Sequence, residues 1–343
     1  MPLPPPNWGL IGHEWAVSLL SEHAAHGSLR HAYLLAGPRG VGRRTLALAL
    51  AQALNCPQPL APGQPCQVCP TCRRIREQAY PDLSVIQAEQ VGGTLKIDQV
   101  RELQRSLALA PYEGRFRVAV FLRFEEATIQ SQNALLKTLE EPNPQVVLVL
   151  TALSAENLLP TIVSRCEILR LRSLPVTQVR EALEQRWSLP PARAALLAHI
   201  SEGRPGVALQ YHLQPELLEQ RQAWLEELAL LLPASRLERF PFAEKWEIDI
   251  RKKIRLKEDL RGQLVTWLSL WRDVYLTSSQ APVAITNLDW QPQIQFLAGA
   301  LSPARAFAML RRIGQTLELL HKNMNTRLAL EVLLLELPRL SIQ

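Results

Sequence analysis

His31-Ala32-Tyr33-Leu34-Leu35-Ala36 runs directly into Gly37-Pro38-Arg39-Gly40-Val41-Gly42-Arg43-Arg44-Thr45, and then into Leu46-Ala47-Leu48-Ala49-Leu50-Ala51-Gln52-Ala53-Leu54. The short apolar stretch reads as a buried strand, and the Ala- and Leu-rich segment from Arg44 to Leu54 as a strong helix former. Strand, glycine-rich turn and helix form the setting of a phosphate-binding loop. There, backbone N–H groups cradle phosphates, a lysine reaches the β/γ-phosphates, and a Ser or Thr hydroxyl holds Mg²⁺. Gly37 and Gly42 have the required spacing, with Gly40 between them, but Arg43 stands at the lysine position and Arg44 at the hydroxyl position. Thr45 carries a hydroxyl one residue late, about 100° further around the helix.

Further apolar strands are expected at 118–122 and 146–150, separated from the first by helical segments. That alternation implies an α/β fold with a parallel sheet and ligands at the carboxyl ends of its strands. An ATPase of this kind ends the strand at 118–122 in acidic residues, one organising Mg²⁺ and one activating water. This strand ends in Leu122-Arg123, which can do neither. Glu125 and Glu126 follow and read as first-turn acids at a helix N-terminus.

Four of the five cysteines, Cys56, Cys66, Cys69 and Cys72, fall within seventeen residues, among several prolines. The spacing suits tetrahedral Zn²⁺ better than disulfides, and four thiolates would leave no open position, making the site structural. A redox dithiol and unligated thiols are the alternatives. With 343 residues, 47% of them hydrophobic and 20% charged, the chain has the material for two or three globular domains. The net charge of +6 is compatible with an anionic partner and equally with an ordinary surface. Met1-Pro2-Leu3-Pro4-Pro5-Pro6 lacks the features of a signal peptide, and no long apolar run occurs, so a soluble cytoplasmic protein is expected.

Several segments together resemble the bacterial clamp-loader subunits of the AAA+ superfamily, and within them the delta-prime branch. These are Gly12-His13-Glu14, His31-Ala32-Tyr33-Leu34, the loop at 37–45, the four-cysteine insert, and the run from Asn133 through Lys137 and Glu140-Glu141 to Pro142. Ser164-Arg165-Cys166, Gly203-Arg204-Pro205-Gly206-Val207-Ala208-Leu209 and the segment from Asn323 to Glu331 extend the likeness along essentially the whole chain. The resemblance implies an AAA+ P-loop domain over 1–170 with a zinc module at 56–72, a three-helix lid over 171–210, and a helical collar over 211–343.

In such complexes ATP sits at subunit junctions, one subunit supplying the phosphate loop and its neighbour the arginine of Ser-Arg-Cys. The resemblance therefore implies that Arg165, beside Ser164, is an arginine finger in trans, an effect worth about 10³ to 10⁵ in rate in related NTPases. A polar sensor and a lid arginine of active relatives align with Ala152 and Gly206, where neither is present. Thr151 and Arg204 lie one and two residues away. With lysine, magnesium hydroxyl, carboxylates, sensor and lid arginine all missing, the loop at Gly37, Gly40, Gly42, Arg43, Arg44 and Thr45 is not expected to hold nucleotide productively. Passive phosphate binding by Arg43 stays open. The implied partners are gamma/tau ATPase subunits, a delta subunit, primer-template DNA through the assembled complex and, indirectly, the sliding clamp.

Two rival readings are an active gamma/tau-type ATPase, opposed at positions 43, 44, 122 and 123, and a stand-alone zinc-containing DNA-binding module. Arg73, Arg74 and Arg76 are the only cations close to the cysteines. Basic runs from Lys245 to Lys257, which include Arg251-Lys252-Lys253 and Arg255, and at Arg305, Arg311 and Arg312 could touch phosphates. Acidic neighbours make a solvated helix face the favoured reading of the first of these.

Overall fold

A computed structural model describes residues 7–89, 93–254, 256–322 and 324–340. The proline-rich start, Arg255 and Asn323 lie outside the described residues. The chain divides into two compact units, residues 1–188 with 203–207, and residues 189–202 with 208–343.

The first unit contains α1 (Glu14–Ala25), β1 (Ala32–Ala36), α2 (Arg43–Asn55), α3 (Pro70–Arg76), β2 (Leu83–Ile86), α4 (Ile97–Leu107), β3 (Arg117–Phe121), α5 (Ile129–Glu140), β4 (Val146–Ala152), α6 (Pro160–Val163), β5 (Glu167–Arg170) and α7 (Val176–Trp187). The five strands form one sheet in the order β2-β3-β4-β1-β5, and every pairing is parallel. β1 and β4 are buried along their whole length, as expected for strands covered on both faces. Alternation along β1 sends Tyr33 and Leu35 to one face and Ala32 and Leu34 to the other. The first face packs on Ala16, Leu20, Leu46 and Leu50 from α1 and α2. The second packs on Val100, Leu103, Leu135 and Leu139 from α4 and α5.

The strand expected at 118–122 is β3, and it releases the chain one residue early, leaving Leu122 outside. β2 and β5 are the two sheet edges, only part-buried, with Leu83-Ser84-Val85-Ile86 and Glu167-Ile168-Leu169-Arg170 lacking a continuous apolar run.

Asp82, at the entry to β2, is the fully buried carboxylate of this unit's sheet edge. Its oxygens accept from the backbone N–H groups of Tyr112, Glu113 and Gly114 at 2.6, 2.9 and 2.7 Å. The Arg117 guanidinium lies 3.6 Å away. Burial pushes its carboxyl up, but the three N–H donors and Arg117 more than offset this and hold it below the ordinary aspartate range. The loop before β3 is thus tied to β2 by a charge.

The second unit is helical: α8 (Pro191–Ile200), the greater part of α9 (Pro205–Leu213), α10 (Pro215–Leu231), α11 (Arg236–Arg251), α12 (Lys257–Ser278), α13 (Gln291–Ala300), α14 (Pro303–His321) and α15 (Thr326–Glu336). Its core gathers Trp246, Trp267 and Trp271 with leucines from α10, α12 and α15. The Trp267 indole N–H donates to Trp224 O at 2.7 Å.

A cation is also built into this core. Arg239 is 2% exposed and donates to the carbonyls of Leu231, Leu232, Leu334, Leu337 and Pro338 at 2.6 to 3.0 Å. All five belong to the C-terminal ends of α10 and α15, where unpaired carbonyls and helix dipoles favour positive charge. A second buried polar network lies in this unit: Arg221 donates to both oxygens of Asp289 and to Asn287, and Asp273 accepts from the backbone of Thr286 and Asn287. Among the described residues, no helix is long and apolar enough to cross a membrane.

Replacing Asp82 with Ala removes a buried carboxylate that accepts from three part-buried backbone N–H groups and should cost about 2 kcal/mol of stability at pH 7. Because the folded-state pKa of Asp82 is depressed, its contribution is complete above the unfolded value near 4 and fades as pH falls through the folded value. Denaturant melts across pH 2 to 7 should show wild type and Asp82→Ala converging at the acid end.

Candidate functional site

The loop between β1 and α2 leaves no room for a side chain at Gly40. Gly40 has φ +79°, and a Cβ there would lie 2.6 Å from Val207 Cγ2 and 2.9 Å from the Val207 nitrogen. Gly206 N–H donates to Gly40 O at 2.8 Å, and a Cβ on Gly206 would sit 2.9 Å from that same oxygen. Gly206 is therefore held against the loop by backbone contact.

A cavity of about 320 Å³ opens beside the loop. Arg39, Arg43, Arg44 and Arg123 supply four cations to its lining, with Thr45, Gln87 and Thr151 as further polar residues. Arg44 and Thr45 are exposed, whereas Arg43 is 8% exposed and its Nη1 has no hydrogen-bond partner among the described residues. Burial lowers the Arg43 pKa, opposed by the charge of Glu125 and aided by Arg39 and Arg123.

The acids after β3 do not begin an α-helix. Arg123 adopts left-handed backbone at φ +54°, and Phe124–Glu126 form a short 3₁₀ turn. Both acids lie in the first turn of this 3₁₀ segment, and Glu126 forms ion pairs with Arg123 at 2.8 Å and Arg39 at 3.7 Å. Both carboxylate oxygens of Glu125 are buried without a hydrogen bond among the described residues. The Thr151 hydroxyl accepts from Arg123 N–H at 3.0 Å, which ties the end of β4 to the turn after β3.

The four cysteines converge. Cys56 caps the C-terminus of α2 and Cys69 the N-terminus of α3, with Cys66 on the connecting loop and Cys72 inside α3. All four are buried and their sulfurs lie within 4.8 Å of one another. The Cys56 and Cys66 sulfurs are 3.5 Å apart, and those of Cys56 and Cys69 are 4.0 Å apart. A tetrahedral thiolate site with Zn–S near 2.3 Å requires sulfurs about 3.8 Å apart, whereas a disulfide would need about 2.05 Å. The donor set fits a metal ion.

Backbone N–H groups of Cys66, Cys69 and Cys72 point at the sulfurs of Cys56, Cys66 and Cys69 at 3.3 to 3.4 Å, stabilising thiolate charge. Burial raises the Cys66 thiol, but donors from Val68, Cys69 and Cys56 outweigh it and bring it to about 7. The insert is anchored on α1, where Ser21 Oγ donates to Gly63 O at 3.2 Å.

Arg165 lies on the turn after α6, about a third exposed. Its Nη1 donates to Thr161 O at 2.9 Å, and its Nη2 pairs with Glu140, the last residue of α5, at 2.8 Å. The Ser164 hydroxyl donates to Thr161 O at 3.2 Å. Cys166 is half-buried, and burial pushes its thiol up to about 12, an unreactive state.

Sheet topology separates Arg165 from the phosphate loop. β1 and β5 are parallel, with Tyr33 opposite Glu167 and Ala36 opposite Arg170. The loop leaves the carboxyl end of β1, while Arg165 stands before the amino end of β5. At about 3.3 Å per residue, the six or so register positions between them amount to roughly 20 Å along the sheet. Among the remaining cations, Arg251, Lys252, Lys253, Arg305 and Arg311 are exposed, and Arg312 pairs with Glu336.

Two sequence families match the chain: DNA polymerase III, delta subunit, over residues 12–175, and DNA polymerase III, delta subunit, C terminal, over residues 215–339. The chain is 32% identical over 337 residues to the DNA polymerase III subunit delta' of Pseudomonas aeruginosa, covering 94% of this chain and 96% of that protein. It is 36% identical over 199 residues to the DNA polymerase III subunit tau of Escherichia coli, covering 57% of this chain but spanning only 30% of that relative. Among solved structures it is similar to a DNA polymerase III gamma subunit-related protein from Thermotoga maritima, at 19% identity, 95% and 98% coverage and a TM-score of 0.44. With similarity running nearly end to end along the Pseudomonas relative, the chain belongs to the delta' family of DNA polymerase III subunits.

Proposed function

We propose that this chain is a non-hydrolysing delta' subunit of a clamp loader, supplying Arg165 in trans to ATP held by a neighbouring gamma/tau-type subunit. The observation that carries this reading is the placement of Arg165 at the opposite end of a parallel sheet from its own phosphate loop, beyond reach of any ligand there. A guanidinium near another subunit's γ-phosphate would stabilise charge that develops as the bond to the leaving group breaks. Donors on an exposed turn suit that task.

The chain's own loop supports the complementary half of the reading. Arg43 is buried where a lysine would reach phosphate, Arg123 stands where a carboxylate would organise magnesium, and Gly206 has no room for a lid arginine. The loop then serves as scaffold, tying residues 203–207 to the sheet. Within this reading, residues 171–210 are the lid and 211–343 the collar that joins the ATPase and delta subunits. Ring closure on primer-template DNA would couple hydrolysis to release of the sliding clamp, in the cytoplasm. An active ATPase and a stand-alone zinc-containing DNA-binding module are less well supported by these residues.

We further propose that Cys56, Cys66, Cys69 and Cys72 hold one structural Zn²⁺. The metal would neutralise clustered thiolates and fix the insert between α2 and α3, with no position left for substrate.

Three outcomes are expected. The isolated chain should hydrolyse no ATP above background in a phosphate-release assay, and turnover would refute the scaffold role. In a complex reconstituted with gamma/tau and delta subunits, Arg165→Ala should slow hydrolysis at the adjoining junction by about 10³-fold without weakening nucleotide binding. Unchanged DNA-stimulated hydrolysis would sink the trans assignment. Elemental analysis should find one zinc per chain, lost together with thermal stability in Cys69→Ala; a metal-free wild type would rule the site out.

A further inference from the structure

The run that ends α5 and the turn that carries Arg165 are far apart in sequence, yet the fold joins them through one ion pair. Glu140 Oε1 lies 2.8 Å from Arg165 Nη2, and Thr161 O accepts from Nη1 at 2.9 Å. Ser164 Oγ is at the limit of contact, 3.5 Å from Nη1. Both terminal nitrogens of the guanidinium are therefore held by the chain itself.

Stability does not account for the acid at this position. Glu140 is the last residue of α5, and exposed Glu141 follows it. The C-terminal end of a helix carries partial negative charge, so two carboxylates there are unfavourable and a cation would be preferred. The Glu140 side chain is half-exposed, and exposed ion pairs add little to folding. What the pair does provide is orientation. Arginine has a long flexible stem and a planar fork of five N–H donors, so one fixed contact at each terminal nitrogen sets the plane of the whole group.

We propose that Glu140 is a positioning residue for Arg165, holding the guanidinium plane fixed while leaving donors for an incoming anion. Hydrogen bonds to Thr161 and Ser164 use Nη1 and the Glu140 carboxylate pairs at Nη2, so among the described residues Nε–H has no partner. The ligand is a phosphate oxygen on another subunit, and this inference rests on the reading of Arg165 as an arginine presented in trans. Pre-organised donors act at full strength because they need not reorient as charge develops.

The test is a set of four reconstituted complexes: wild type, Glu140→Gln, Arg165→Ala and the double variant, each assayed for single-turnover ATP hydrolysis and ATP affinity. Glu140→Gln keeps the shape of the side chain, and its thermal melt should match wild type. It should slow hydrolysis about five-fold with ATP affinity unchanged, and it should add nothing once Arg165 is Ala. Wild-type rates for Glu140→Gln beside an impaired Arg165→Ala would overturn the positioning role and leave the trans assignment standing. A further loss on combining the two changes would also overturn it, since Glu140 would then act independently of Arg165. An unimpaired Arg165→Ala would instead remove the underlying reading.

Discussion

Parallel pairing of β1 with β4 on one side and β5 on the other is the constraint on which the first unit depends. Because all strands run the same way, the sheet has an end where chains enter and an end where they leave. At the leaving end, Gly37 N–H donates to Ala152 O at 3.0 Å, which fixes the glycine loop to the end of β4. At the entering end stand the end of α5 and the turn before β5. A single topological fact thus gives the sheet two chemically distinct ends, one carrying the glycine loop and one the half-buried Arg165.

At the end that carries the glycine loop the contacts reinforce one another. Gly206 N–H donates to Gly40 O, and the Thr151 hydroxyl is committed to the backbone after β3. Arg123 and Glu126 form an ion pair in the turn that follows. Several of the polar groups around the glycine loop are thus already engaged within the chain.

Legibility in the sequence followed burial and chain distance. The central strands were readable because covering on both faces demands continuous apolar runs, as in Val146-Val147-Leu148-Val149-Leu150. The edge strands were not, since partial exposure admits Ser84, Glu167 and Arg170. The cysteine cluster was readable from local spacing alone. Partnerships that topology creates gave no sequence signal: Asp82 with the loop at 112–114, Glu140 with Arg165, and Arg239 with the ends of two helices. Glu125 and Glu126 do fall in the first turn of a helix, a short 3₁₀ one, but the pairing of Glu126 with Arg123 and Arg39 gave no sequence signal.

Arg239 has a bearing on how the protein is made. Two of its five acceptors, Leu231 and Leu232, precede it closely, but Leu334, Leu337 and Pro338 are about a hundred residues downstream. During synthesis at about 5 to 20 residues per second, the guanidinium waits several seconds for its remaining acceptors. Until α15 emerges, burying that charge is unfavourable, so the helices around it stay open to solvent and to chaperones. A product cut short before Leu334 would leave Arg239 with only two of its five carbonyl acceptors, so the helices around it could not close over the charge.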